Sequence, residues 1–156
     1  MIFYTDGSAH PNPGPGGYGV IGVEHDKVVY TRSRQYGGKV TNNEMEIKAI
    51  LWVMLEFGKP SEWQQPPIVY SDSAYCVNTF NTWMFSWAKN NWIKSDKKTP
   101  ENLELIQAYY DLYQKGYRID LRKVKGHAGN KFNELADGLA TGKIKDLKGD
   151  KIYGTN

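Results

Sequence analysis

Met1 to Thr5 is an apolar, β-prone run that meets Asp6-Gly7-Ser8, where the first strand is expected to end. Pro11 to Gly17 (Pro-Asn-Pro-Gly-Pro-Gly-Gly) suits neither a helix nor a central strand, because proline lacks the N–H and glycine is permissive. Strand character resumes from Tyr18 to Glu24. His25-Asp26 makes a tight turn, and Lys27 to Tyr36 returns as a third strand that Gly37-Gly38 closes. Two close connections of this kind predict an antiparallel meander. The period then changes. Thr41-Asn42-Asn43-Glu44 has the form of a capping box, and Met45, Ala49, Leu51 to Met54 and Phe57 follow as a broad apolar face stopped by Gly58 and Pro60. Ile68-Val69-Tyr70 reads as a short buried strand ending at Ser71-Asp72-Ser73, followed by a helical segment from Ala74 with Val77 and Phe80. A Trp- and Lys-rich stretch comes next. Pro100 then sits where a helix would start, with Leu103, Ile106, Tyr110 and Leu112 on its apolar face. Tyr117 to Val124 alternates as a last strand, Lys125 to Gly129 is a loop, and Asn130 caps a final helix with Leu135, Ala136, Leu139 and Ala140.

Three strands, a helix, a strand, helices, a strand and a helix predict an α/β fold. Its mixed sheet has three antiparallel strands followed by parallel ones. At 156 residues the chain is one domain's worth, with no internal repeat and no linker long enough to divide it. With 40% hydrophobic and 24% charged residues, disorder and coiled coil are poor whole-chain readings. The single cysteine, Cys76, excludes an intramolecular disulfide framework and a cysteine-based zinc site, and reads as a buried helix residue. The longest apolar run, Ala49 to Leu55, is far short of the roughly 20 residues a membrane span needs. Asp6 interrupts the opening apolar stretch before a signal peptide can form, so a soluble cytoplasmic protein is expected. A net charge of +3 is a weak pointer to a polyanionic partner. Trp83, Phe85, Trp87 and Trp92 lie among Lys89, Lys94, Lys97 and Lys98, which suits either a nucleic-acid surface or a small satellite core with a solvated rim.

The acids change the picture. Asp6 follows the first strand and Asp72 the fourth; if those strands are adjacent and parallel, both carboxylates leave the same sheet edge, where open α/β sheets bind ligands. Glu46 sits among apolar neighbours on the first helix, and Asp137 lies in the last helix next to Gly138. Singly, a strand-end acid is a turn former or cap, and a helix glutamate is solvated. Converging carboxylates repel and raise one another's pKa values, and such a cluster persists where divalent cations neutralise it. An all-oxygen set suits Mg²⁺ or Mn²⁺.

Tyr4-Thr5-Asp6-Gly7-Ser8, Asn12 to Gly19, Thr41 to Glu46, Ser71-Asp72-Ser73, Val124 to Gly129 and Asn133 to Asp137 together resemble type 1 ribonuclease H, in order, over roughly Ile2 to Gly142. The resemblance implies a ribonuclease H-like fold: a five-stranded mixed sheet with helices on both faces, formed by residues 1–142, with 143–156 as a loosely ordered lysine-containing tail. It implies an endonuclease that cuts the RNA strand of RNA–DNA hybrids with two Mg²⁺ ions, Mn²⁺ being a substitute, leaving 5′-phosphate and 3′-hydroxyl ends. Asp6, Glu46, Asp72 and Asp137 match the metal-binding carboxylates, with Asp6 bridging both ions. His127 matches a loop histidine for proton transfer or product release, its alternative being a packing or capping role. Asn133 shares a face with Asp137 and either orients a ligand there or caps.

For the substrate, Ser8, Asn12, Asn42 and Asn43 match minor-groove contacts. Glu46 is also suited to bond the 2′-OH that marks RNA. Lys39, Thr41 and Asn102 resemble a pocket for a DNA phosphate, and Tyr75, Trp83, Trp87 and Ser95 a channel for the DNA strand. Ala88-Lys89-Asn90-Asn91 departs from the family, being less basic than a handle rich in consecutive Lys and Arg, so weaker hybrid affinity and a shallower salt slope are expected. A monomer is expected, with no membrane and no obligate protein partner. The rival readings are a non-catalytic nucleic-acid-binding module, an integrase, transposase or exonuclease on the same fold, and a domain of a polymerase polyprotein.

Overall fold

A computed structural model describes residues 1–124 and 130–145. The sheet is built from β1 (Ile2–Ala9), β2 (Gly14–Glu24), β3 (Lys27–Val40), β4 (Ile68–Ser71) and β5 (Asp120–Lys123), in the order β3-β2-β1-β4-β5. β1, β2 and β3 pair antiparallel, while β4 lies parallel to β1 and β5 parallel to β4. That is the expected mixed sheet.

Its helices are α1 (Asn42–Phe57), α2 (Ala74–Asn78), α3 (Met84–Lys89), α4 (Leu103–Gln114) and α5 (Lys131–Thr141). Strand alternation sends Phe3, Tyr18, Val20 and Val69 to one face, where α1, α2 and α4 form the larger core with Ile47, Ile50, Val53, Met54 and Ile106. Ile21, Val23 and Val28 point the other way and are sealed by Phe132, Ala136 and Leu139 of α5. The capping box that starts α1 is present in full: the Thr41 hydroxyl accepts from Glu44 N at 3.1 Å and Glu44 Oε1 accepts from Thr41 N at 3.4 Å. Asn130 caps α5 in the same way, accepting from Asn133 N at 3.0 Å. Ile144 docks back against α5, its amide donating to Gly138 O at 3.0 Å.

Four boundaries differ from the sequence reading. β1 does not stop at Asp6-Gly7-Ser8 but runs to Ala9, because β2 continues to pair with it as far as Ala9↔Gly16. β2 accordingly starts at Gly14, inside the Pro/Gly run; Pro15 is tolerated because it falls at a register shift between Gly14 and Gly16, where no ladder N–H is required. β3 passes through Gly37-Gly38 to Val40; it is an edge strand, and both glycines face open space. β5 begins only at Asp120, since its sole neighbour β4 offers no partner before Ile68.

The Trp-rich stretch is also more helical than expected. α2 runs through a π-helical turn (Thr79–Trp83) into α3, so Trp83 and Trp87 are helix residues. Among the described residues no helix is long and apolar enough to cross a membrane.

Candidate active site

The parallel pairing of β1 with β4 ends at Thr5↔Ser71, so the next residue on each strand is an aspartate, Asp6 and Asp72. β1 is held further along by β2, and Asp6 stands opposite Gly19. Both faces of the sheet are approached closely here. A Cβ on Gly7 would overlap the backbone of Met45 and Glu46, so glycine lets α1 lie directly on β1. A Cβ on Gly19 would sit 2.6 Å from Ala136 O and 2.6 Å from Leu139 Cβ, so the absence of a side chain lets α5 press on β2. Glu46 therefore comes down on one side of Asp6 and Asp137 on the other.

One carboxylate oxygen from each of Asp6, Glu46 and Asp72 lies within 4.8 Å of the others. Asp137 is exposed on α5 and close enough to Asp6 to raise its carboxyl pKa, but it is not one of that group of three. Asp6 and Glu46 are only 7% and 8% exposed. Burial pushes the Asp6 carboxyl up to about 8 from an ordinary 3.8, helped by the Asp72 charge and the Asp137 hydrogen bond; Gly7 N–H, donating at 2.9 Å, opposes the shift. Glu46 is held well above the usual range by burial first, then by Asp6 and Asp72. Its Oε1 is buried without a hydrogen-bond partner. Three convergent acids with one orphaned oxygen are unfavourable alone and suit hard divalent cations. Asn133, one turn before Asp137, is 6% exposed and its Oδ1 also lacks a partner.

Asp72 is braced on both sides. Ser71 Oγ accepts from Ser73 N at 3.1 Å and Ser73 Oγ accepts from Cys76 N at 3.1 Å. Burial raises the Cys76 thiol to about 12, as expected of an inert core cysteine.

The other candidate residues fall into three groups around the acids. Asn42 ties the first group together: its Oδ1 accepts from Ala9 N at 2.6 Å and its N–H donates to Asn12 Oδ1 at 3.1 Å, with Ser8 and Asn43 half-buried nearby in sequence. Tyr75, Trp83, Trp87 and Ser95 line one cleft of about 470 Å³. Trp83 and Trp87 are tilted together with centroids 6.1 Å apart. Asn102 Nδ2 donates to the Tyr75 hydroxyl at 3.4 Å, joining that cleft to a hollow lined by Asn102, Glu44 and Lys48. Lys39 is exposed at the end of β3. His127 lies outside the described residues. In the Trp/Lys stretch Phe85 and Trp92 pack against Tyr110, as in a satellite core, while Trp83 and Trp87 line the cleft. Sequence reasoning missed Asp96 and Glu101 in that cleft, and the two close-approach glycines. Gly7 carries a readable signal only in hindsight of the sheet, since Asp-Gly also marks a turn.

This strand order, with acids at the ends of adjacent parallel strands and helices sealing both faces, defines a ribonuclease H-like fold. The sequence profile described as RNase H matches residues 1–145. "Ribonuclease H" of Thermoanaerobacter sp. is 37% identical over 147 residues, covering 91% of this chain and 88% of that protein. "Ribonuclease H" of Ruegeria pomeroyi is 39% identical over 154 residues, covering 97% and 96%. Among solved structures, LC11-RNase H1 in complex with RNA/DNA hybrid aligns with a TM-score of 0.62 at 25% identity, covering 89% of this chain and 92% of that one. The PFV RNase H domain aligns at 0.72 with 25% identity, covering 89% and 90%. The chain belongs to the ribonuclease H family, metal-dependent hydrolases of type 1.

Proposed function

We propose that the chain is an endoribonuclease that hydrolyses the RNA strand of RNA–DNA hybrids, leaving 5′-phosphate and 3′-hydroxyl ends. The observation that carries this reading is the convergence of Asp6, Glu46 and Asp72 within 4.8 Å, with Asp137 adjoining Asp6 from α5. The solved complex of LC11-RNase H1 with RNA/DNA hybrid supports the substrate class. Residues 1–142 form the catalytic unit and 143–156 its tail, and the protein works as a cytoplasmic monomer.

Asp6, Glu46, Asp72 and Asp137 would hold two Mg²⁺ ions, with Mn²⁺ as a substitute. When bound, the cations neutralise the acids and supply the Lewis acidity that two-ion phosphodiester hydrolysis requires. Asp6 lies in the group with Glu46 and Asp72 and also adjoins Asp137, which is consistent with Asp6 being a ligand that both ions would share. Glu46 offers its unpartnered Oε1 to a cation or to the 2′-OH beside the scissile phosphate, coupling sugar identity to the site. Asn133 supports Asp137 from one helical turn away, and His127 serves proton transfer or product release. Ser8, Asn12, Asn42 and Asn43 contact the minor groove, and the bonds already linking Asn42 to Ala9 and Asn12 fix that edge before substrate arrives. Lys39, Thr41 and Asn102 receive a DNA phosphate; the Thr41 hydroxyl accepts from Glu44 N and keeps its own proton to donate. Tyr75, Trp83, Trp87 and Ser95 hold the DNA strand.

The test is a side-by-side digestion of labelled RNA–DNA hybrid, RNA duplex, DNA duplex and single-stranded RNA, with and without Mg²⁺. The expected result is internal cleavage of the hybrid's RNA strand only, and only with the cation. Preferential cutting of DNA duplex, or no cutting at all, refutes the reading.

A further inference from the structure

On the face of the sheet that carries α1, a groove of about 460 Å³ runs between α1 and α4. The two helices lie parallel here: Glu44 and Lys48 meet Asn102 and Leu103 at one end, and Gly58 O accepts from Arg118 N at 2.8 Å at the other. From α1 the groove takes Lys48, Leu51, Trp52 and Leu55; from α4 it takes Ala108, Asp111, Leu112 and Lys115. Each set is a complete i, i+3, i+4, i+7 stripe. The fully buried side of α1 is Met45, Ile47, Ala49, Ile50, Val53 and Met54; in the groove Leu51, Trp52 and Leu112 are half-buried against that core and leave their outer edges to the trough. Leu55 remains 44% exposed.

The rim is cationic. Lys48 and Lys115 stand at opposite ends of the apolar line. On the β3 side Arg32 stacks over Trp52 at 3.9 Å, and Arg34 over Tyr36, another lining ring, at 5.2 Å. Against these four cations stand Asp111 and Glu44, and Glu44 is paired with Lys48 at 3.6 Å. The Trp52 and Tyr36 faces are occupied by these cations and by Lys48, which lies 4.6 Å from the Tyr36 ring. Tyr18 also lines the floor but is only 4% exposed, and the remaining apolar lining is aliphatic, so the groove offers little for a nucleobase to stack on.

We infer that this groove docks an amphipathic helix of a partner protein, one with an apolar stripe flanked by acidic residues. Two parallel helices with matching stripes form the trough into which a third helix lays its i, i+3, i+4, i+7 anchors, and the cations select acidic flanks. The docking surface lies apart from the acid cluster and does not depend on the activity proposed above.

The probe is a designed acidic peptide of about four helical turns, with leucines on one face and glutamates beside them. A second peptide has the same leucines with lysines in place of the glutamates. Each is titrated into the ¹⁵N-labelled full chain. The expected result is a set of amide shifts confined to α1, α4 and the Arg32–Tyr36 stretch with the acidic peptide, and affinity at least about tenfold weaker with the basic one. Leu55→Glu and Lys115→Glu should each weaken binding about tenfold while thermal melting and hybrid cleavage stay unchanged, both side chains being exposed. Four results overturn the inference: no localised shifts with the acidic peptide, equal binding of both peptides, the same amides moved by single-stranded DNA, or self-association of the chain through this face. Cleavage assays on the same samples keep a failure here distinct from a failure of the nuclease reading.

Discussion

Replacing Asp6 by asparagine should abolish cleavage and, without metal, make the protein more stable. The side chain is 7% exposed and its carboxyl is raised to about 8 from 3.8. A carboxyl that holds its proton more tightly folded than unfolded stabilises the fold fully below the unfolded pKa. That contribution is lost as pH rises through the folded value. At pH 7 the unfolded chain ionises freely while the folded site resists, a difference of about three pKa units, or about 4 kcal/mol at 1.36 kcal/mol per unit. Water entry and local relaxation reduce this to about 2 kcal/mol. For a chain of this size that corresponds to a Tm about 4–8 °C higher for Asp6→Asn. The amide has no such titration, so the gap should vanish near pH 4 and be widest above pH 8. The assay is a set of melts across that range in chelator, then in Mg²⁺. At a hundredfold excess over its Kd the cation stabilises the wild type by about 2.7 kcal/mol, closing the gap. A metal-free variant that melts at or below the wild type at pH 8, or a gap equally wide at pH 4, refutes the reasoning.

Three further outcomes follow from particular contacts. Gly7→Ala drives a methyl into the Met45–Glu46 backbone and should cost about 3 kcal/mol or more, with cleavage lost; denaturant unfolding and a hybrid digest check both. Asn130→Ala removes the cap on α5, so unfolding by urea should show a loss of about 1 kcal/mol, and an unchanged midpoint would contradict the cap's role. Trp87→Ala should raise KM for hybrid several-fold with kcat little changed, since Trp87 lines the cleft with Trp83 and Tyr75 and is not one of the acids; a kcat collapse at unchanged KM would place it elsewhere.

The acids were legible because their chemistry is tied to element ends. Asp72 follows a short apolar strand, and once β4 is taken as parallel to β1 it leaves the sheet beside Asp6, one residue past the last pair Thr5↔Ser71. The caps of α1 and α5 were legible because capping is a local interaction between residues three apart. What local pattern could not supply was pairing. Asp6-Gly7-Ser8 looks like a strand end, and the strand continues through it to Ala9 only because β2 runs alongside. Pro15 looks like a strand breaker and is accommodated by a bulge that depends on Val40, far along the chain. The helical phase of Trp83 and Trp87 was hidden by a π turn, which changes the residue period within one continuous rod. Leu55, at the end of the longest apolar run, is exposed because apolar periodicity does not distinguish a buried stripe from a second, solvent-facing one.

The two faces of the sheet are closed by helices from opposite ends of the chain, α1 soon after the first strands and α5 at the far end. Asp6 waits on both. During synthesis the ribosome releases the first three acids long before Asp137 emerges, and until then Ile21, Val23 and Val28 have no cover. The nascent chain therefore cannot assemble the complete acid set until α5 has emerged, and a chain cut before α5 leaves that apolar face uncovered. A lesion that stops translation before α5 removes Asp137 and the cover of that face together.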